Sequence, residues 1–184
     1  QVLTNYEYQG TEYTRFTQPK NAGNANLWGL EFSYQRDFGF IAPALKYVGF
    51  YGTYTYTHSR VEDFNFEGRE NEKDLSLPGS PEHTANASLY FEKKGFNVRL
   101  SYNYASSFID EMGEVAALDR YYDAVNYMDL NASYTFGKKI KTTFYADATN
   151  LLNQPLRYYQ GVKDRTMQSE HYGVKINAGV KVNF

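Results

Sequence analysis

The sequence predicts an all-β fold, an antiparallel transmembrane β-barrel wall of about eight up-and-down strands. Three observations carry this. Apolar and polar residues alternate with period two along most of the chain, which puts one greasy and one wet face on each strand. Aromatic residues are abundant, with 19 Tyr and 13 Phe among 184 residues. That is more than a small soluble core uses, whereas a barrel wall in lipid spends them as interfacial girdles. The connections alternate between short and long, as they do in bacterial outer-membrane barrels with long loops outside the cell.

Strands are expected at 1–9, 12–36 (with an outer bend near Pro19–Gly23), 43–59, 82–92, 96–108, 122–136, 140–151 and 172–184. In the second, Trp28, Leu30, Phe32 and Tyr34 alternate with Gly29, Glu31, Ser33 and Gln35. Val48, Phe50, Tyr54 and Tyr56 continue the pattern, which Tyr47 and Tyr51 blur. Ala85, Ala87, Leu89 and Phe91 follow, then Phe96, Val98, Leu100, Tyr102 and Tyr104. Met128, Leu130, Ala132, Tyr134 and Phe136 precede Ile140, Thr142, Phe144, Ala146 and Ala148. The last strand shows it best: Tyr172, Val174, Ile176, Ala178, Val180, Val182 and Phe184 alternate with polar or small residues. Short connections fall at 36–43, 93–95 and 137–139. Long polar ones fall at 60–81, 109–121 and 153–171, with at most one short helical turn near Glu111–Leu118.

The totals exclude several classes. A net charge of -2 argues against nucleic acid as a partner. With no cysteine there is no disulfide framework or thiolate metal site. Mean hydropathy is -0.64, as expected where every second residue faces a wet lumen, and no stretch suits a spanning helix. No nucleophile elbow, phosphate loop or dinucleotide fingerprint is present, so no enzymatic activity and no cofactor are expected. The chain begins in what reads as mid-strand, so a cut or mature chain is expected.

Four segments carry a family resemblance. They are Asn150-Leu-Leu-Asn-Gln-Pro-Leu-Arg-Tyr-Tyr-Gln-Gly161 with Asp164-Arg165, Gln168-Ser-Glu-His-Tyr-Gly173 and the terminal Phe184; Gln18-Pro-Lys-Asn-Ala-Gly-Asn-Ala-Asn-Leu-Trp-Gly-Leu-Glu31; Tyr54-Thr-Tyr-Thr-His-Ser-Arg60; and Leu77-Pro-Gly-Ser-Pro-Glu-His-Thr-Ala-Asn86. Their order and spacing resemble TonB-dependent outer-membrane receptors, most of all the Bacteroidota type. The resemblance implies a plugged barrel of about 22 strands, with residues 1–184 as its C-terminal segment and the plug domain and N-terminal strands absent. It implies uptake of an iron chelate, a vitamin or an oligosaccharide. The partners it implies are outer-membrane lipid, the missing plug and strands, the TonB complex, the outer-membrane assembly machinery and a surface lipoprotein lid.

The candidate sites follow. Tyr172, Val180, Val182 and Phe184 resemble the C-terminal assembly signal, read by strand pairing; they also read simply as lipid-facing side chains. Arg60, Arg69, Arg157, Tyr158, Tyr159, Arg165, Gln168 and Glu170 are the ligand-facing loop candidates, since Tyr and Arg anchor binding sites. A packed loop base explains those of the last loop equally well, and Arg165 with Glu170 reads as a brace across it. The acidic run 60–74 lacks the order of a calcium loop and reads as solvated. His58, His83 and His171 have no metal-ligand spacing. The wet-face charges Glu31, Arg99, Asp129, Lys141, Asp147, Lys175 and Lys181 are expected in ion pairs across the wall and to the plug. The rival readings are a self-contained eight-stranded outer-membrane barrel, serving as adhesin, structural protein or narrow pore, and a soluble barrel of lipocalin type.

Overall fold

A computed structural model of the chain describes residues 2–3, 5–17, 23–62, 69, 72 and 75–184. The expected outer bend at Pro19–Gly23 lies outside them except for Gly23, as does most of the acidic run 60–74.

The strands are β1 (Val2–Leu3), β2 (Tyr6–Tyr8), β3 (Thr11–Tyr13), β4 (Phe16–Thr17), β5 (Asn24–Asp37), β6 (Val48–Glu62), β7 (His83–Lys93), β8 (Phe96–Ala105), β9 (Phe108–Glu111), β10 (Arg120–Tyr122), β11 (Val125–Phe136), β12 (Lys141–Thr149), β13 (Leu156–Gln160), β14 (Thr166–Glu170) and β15 (Lys175–Asn183). All pairing is antiparallel. The main sheet has seven strands in the order β15-β12-β11-β8-β7-β6-β5, an uninterrupted meander. A four-stranded sheet β14-β13-β10-β9 stands beyond it, and β1–β4 form a hairpin with its tip at Gln9–Gly10. Helix is confined to three short 3-10 turns among the described residues.

This is the all-β wall that the alternation predicts, cut into more pieces than expected. Thirteen strands of three residues or more, and two of two residues, stand where about eight continuous ones were expected. The strands expected at 96–108 and 122–136 both break where the wall passes into the outer sheet. The expected loops 109–121 and 153–171 contain strand as well, β9 and β10 at the two ends of the first and β13 and β14 within the second, where β-branched and aromatic residues such as Ile109, Tyr121, Tyr158, Tyr159 and Thr166 suit pairing even in a polar stretch.

Register settles the faces. Leu30 stands opposite Tyr56, Phe32 opposite Tyr54, Phe50 opposite Leu89, Leu89 opposite Leu100, Leu100 opposite Leu130, and Phe144 opposite Val180. Cross-strand partners share a face, so the apolar sets of all seven strands form one continuous surface. Tyr51 belongs to the other face, opposite Gln35 and Ser88. The sheet is a single layer. Among the described residues only Leu75, Ile109 and Tyr159 are buried apolar side chains, while Leu30, Phe32 and Ile176 are 68%, 66% and 75% exposed. Among the described residues there is no dry interior for the apolar face to fill, which speaks against the lipocalin-type reading. Strands β5 and β15 are the free edges of the main sheet among the described residues.

Aromatic rings gather at both ends of the apolar face. Trp28 packs edge-on to Tyr56 at 5.4 Å and lies 5.7 Å from His58, and Tyr56 lies 5.3 Å from His83. At the other end Phe91, Phe96, Tyr134, Phe136 and Phe144 form a chain with centroid spacings of 5.9, 6.5, 5.8 and 5.9 Å. Two aromatic clusters with Leu30, Leu89, Leu100 and Leu130 between them are the girdle pattern expected of a membrane wall.

The β7–β8 connection is a two-residue turn with Lys94 at φ 48° and Gly95 at φ 84°, the pattern of a type I′ hairpin. A Cβ on Gly95 would lie 2.2 Å from the Thr135 carbonyl oxygen. Gly95→Ala is therefore expected to destabilise the wall by roughly 1–3 kcal/mol, read as an earlier urea midpoint in detergent micelles. An unchanged midpoint would show that this turn is misplaced.

Candidate functional site: the outer sheet and the wet wall

The site grows from two hairpins that continue past the main sheet. One is β9–β10, and the other is β13–β14. Their root is a corner built by Asn150. Its side chain accepts from the Gln154 amide (2.8 Å) and donates to the carbonyls of Gln154 (3.1 Å) and Gly173 (3.2 Å), while its own amide donates to Asp129 (2.9 Å). Asn150 and Asn153 hold φ of 58° and 51°, a region that Asn tolerates better than most residues. These bonds and angles explain physically the two Asn of the Asn-Leu-Leu-Asn-Gln-Pro segment.

The outer sheet has two unlike faces. On one, Tyr121 and Tyr159 stack at 5.0 Å and 2°, with Ile109 beside them in the strand register. Arg69 and Asp119 seal this cluster at 2% and 1% exposure. Burial, with Asp119 nearby, pushes the Tyr121 hydroxyl above its ordinary range. The hydrogen bonds that Arg69 donates to Asp119 hold its guanidinium well above its usual value. Arg157 is bound to Asp123 at 2.6 Å, to Thr166 at 3.0 and 3.1 Å, and to the Lys163 carbonyl.

The other face carries Phe108, Tyr122 and Tyr158 in a row, with centroids 5.5 and 5.2 Å apart. Arg120 lies 5.4 Å over the Tyr158 ring and pairs with Asp110 (2.5 Å) and Glu111 (2.9 Å). Gln168 stands opposite Tyr158, and both Gln168 and the Tyr172 hydroxyl donate to Glu170. These two bonds hold the Glu170 carboxyl below its ordinary range, Tyr172 contributing first. This face continues the wet wall. Tyr122 hydrogen-bonds Tyr127, and burial pushes the Tyr122 hydroxyl up to about 12. Tyr127 shares the polar face with Asn103, its partner in register. Tyr172 joins Asn103, Tyr127, Asp129 and Lys175 around a shallow pocket of about 380 Å³.

The sequence-derived candidates sort as follows. Tyr158, Gln168 and Glu170 lie on the face that continues the wet wall. Arg69, Arg157 and Tyr159 lie in the packed cluster. Arg165 reaches the Ala117 carbonyl at 3.2 Å, and so does not brace Glu170. Arg60 lies two residues before the end of β6, opposite Asn26. Val180 and Val182 are exposed on the apolar face opposite Phe144 and Thr142, and Phe184 is 99% exposed. Tyr172 departs from the expected alternation. Gly173, at φ 73°, turns the chain between β14 and β15, so Tyr172 faces the pocket and the Lys175 ammonium lies 5.6 Å from its ring. The continuous last strand expected over 172–184 accordingly begins at Lys175.

Cross-wall ion pairs among the wet-face charges are not what the structure contains among the described residues. Asp147 instead accepts from Asn131 at 2.8 Å, Asp129 from the Asn150 amide, and Arg99 stacks on Tyr90 at 5.6 Å. Hydrogen bonds such as Ser88–Ser101 (3.0 Å) and Thr135–Thr143 (2.8 Å) run across the wall. Ion pairs concentrate in the outer sheet, where two strands bring acids and bases to one end. Reading 109–121 as a long polar connection missed Asp110, Asp119 and Arg120, and Tyr122 was read only as the start of the strand 122–136; the available signal was the Tyr121-Tyr122 pair echoing Tyr158-Tyr159. His58 and His83 sit in the upper girdle, His83 bonding Tyr54 at 2.8 Å, and no metal-holding cluster occurs among the described residues.

The family model for the TonB dependent receptor-like β-barrel matches residues 2–151. The chain belongs to that family. Among solved structures, this TonB-dependent receptor-like barrel chain is similar to the ferric citrate transporter FecA in its unliganded form, with a TM-score of 0.64 and 15% identity. The match covers 99% of this chain and 27% of that one. No curated protein matches the chain. The likeness to FecA is one of fold: this TonB-dependent receptor-like barrel chain matches about a quarter of the length of that protein, and its seven-stranded meander is not closed among the described residues.

Proposed function

We propose that the chain is a wall segment of a TonB-dependent outer-membrane receptor that takes up a nutrient. In this reading it binds ligand at its outer sheet, has no enzymatic activity, and works with a plug and a TonB complex supplied outside residues 1–184. The observation that carries the reading is the continuity of the Phe108–Tyr122–Tyr158 face with the wet wall. A ligand held there is already at the mouth of the lumen. Free edges at β5 and β15 support this over a self-contained small barrel, in which they would be paired.

Of the three ligand classes, the surface favours a neutral, polyhydroxylated one. The cation of the aromatic row, Arg120, is already matched by Asp110 and Glu111. What remains is aromatic ring faces flanked by Gln168, opposite Tyr158, and Gln160, opposite Arg120, suited to stacking and amide hydrogen bonds. An anionic chelate would find no uncompensated cation in that row.

The test is ligand binding to de-energised cells that express the intact receptor, with maltooligosaccharide, cobalamin and ferric citrate as probes. Tyr158→Ala is expected to weaken binding of the active probe by about 10- to 100-fold, a hot-spot-sized loss. Ile176→Ala, on the apolar face, should leave it unchanged. Equal binding by wild type and Tyr158→Ala would remove the outer sheet from ligand recognition, and tightest binding of ferric citrate would overturn the ligand class.

A further inference from the structure

The short turns carry charge and apolar surface that nutrient binding does not use. Residues 36–47, 92–96 and 136–140 hold six cations, Arg36, Lys46, Lys93, Lys94, Lys138 and Lys139, against only Asp37 and Glu92, in a chain whose net charge is -2. All six are exposed, and none is in an ion pair among the described residues. The two acids are occupied locally. Asp37 accepts from the Gly39 amide at 2.9 Å, capping a 3-10 turn, and Glu92 accepts from Asn97 at 3.4 Å.

The first of these turns is also greasy. It runs through two 3-10 turns, Phe38–Phe40 and Pro43–Leu45, and leaves Phe40 and Ile41 at 55% and 64% exposure. The Arg36 guanidinium lies 4.1 Å over the Phe40 ring, and the Lys46 and Lys93 ammoniums lie 5.1 and 4.7 Å from the Tyr47 ring. Arg36 stands opposite Phe50, and Lys93 opposite Phe96, so both cations point to the apolar side of the wall. The lower aromatic girdle lies immediately above them. A turn surrounded by water gains nothing from exposed Phe and Ile. At a bilayer interface the same pairing of apolar tips with cationic flanks is favourable on both counts.

We propose that this rim binds the anionic phospholipid headgroups of the periplasmic leaflet, with Phe40 and Ile41 seated at the boundary of the acyl chains. The proposal rests on the membrane reading of the sheet. Cations near an anionic leaflet each strengthen attraction by about fivefold, so six of them, unneutralised and on one rim, make the lipid preference measurable.

The experiment is native mass spectrometry of the intact receptor in mild detergent, supplied with equal amounts of phosphatidylglycerol and phosphatidylethanolamine. The wild type is expected to retain phosphatidylglycerol over phosphatidylethanolamine by at least about fivefold. Glutamine at all six cations should bring the ratio near one while the barrel stays folded by its gel shift on heating. Phe40→Ser with Ile41→Ser should weaken phosphatidylglycerol retention with the charge intact. Lys163→Gln with Arg165→Gln, at the opposite end, should do neither. Equal retention of both lipids by the wild type would overturn the proposal. So would an undiminished preference in the six-fold variant, or loss of a bound acidic protein with no change in lipid ratio. A wild type that holds no lipid and needs no detergent would instead overturn the membrane reading beneath it.

Discussion

Arg69→Met is expected to open the outer sheet. All five N–H donors of Arg69 are engaged: Nε with Glu72 at 2.9 Å, Nη1 with Asp119 at 2.5 Å and the Gly113 carbonyl at 3.0 Å, and Nη2 with Glu72 at 2.7 Å and Asp119 at 2.8 Å. Asp119 also accepts from the Gly113 amide at 2.8 Å. Both side chains are 1% exposed. Methionine would leave Asp119 buried without its cation, and breaking one partner of such a pair costs about 3–5 kcal/mol. Hydrogen exchange should therefore speed by about a hundredfold or more at amides 108–122 and 156–161, with little change in β11. The companion Arg69→Met, Asp119→Leu variant removes both charges and should recover much of the protection, because a well-packed apolar pair replaces a buried ion pair at small cost. If the single and double variants exchange alike, the pair is not what holds the sheet. The phenotype on ligand binding should follow the opening, since the Tyr121–Tyr159 stack is the back of the same sheet whose front bears Tyr158.

The alternation that marks the strands depends only on the order of residues, so the apolar face was readable in the sequence down to single side chains. Trp28 through Tyr34, Phe96 through Tyr104, and Ile176 through Val182 all emerge on one surface. The outer sheet was not readable in that way. Its strands are short, a bulge interrupts the pairing between Arg120 and Tyr121, and its stability comes from Arg69 reaching Asp119 across fifty positions. No local pattern announces a contact at that separation. Tyr172 shows a third case: the period-two count was right as arithmetic, but a left-handed Gly173 resets which way the chain faces. The wet-face charges were found, and their partners were not, because carboxylates and cations that alternate in sequence need not meet across neighbouring strands. Asp147 lies opposite Asn131 and Asn177, and Arg99 opposite Tyr90 and Asn131.

The face that meets hydrocarbon can be tested with two adjacent residues on β8. Leu100 stands between Leu89 and Leu130, midway along the apolar surface, and Ser101 stands between Ser88 and Asp129 on the wet one. An arginine at position 100 must bring its charge into the bilayer midplane, at a cost of about 2–4 kcal/mol. An arginine at position 101 enters the lumen side beside Asp129 and loses only the Ser88–Ser101 hydrogen bond, about 1 kcal/mol. Guanidinium unfolding of the intact receptor in vesicles should therefore rank wild type above Ser101→Arg and both well above Leu100→Arg. Chain length, local strand propensity and added charge are the same in the two variants, so the difference between them isolates which side touches lipid. Were Ser101→Arg the more damaging, the wall would be inside out and the outer sheet's aromatic row would face lipid, not ligand. Equal damage from both would mean that neither side of the sheet meets hydrocarbon.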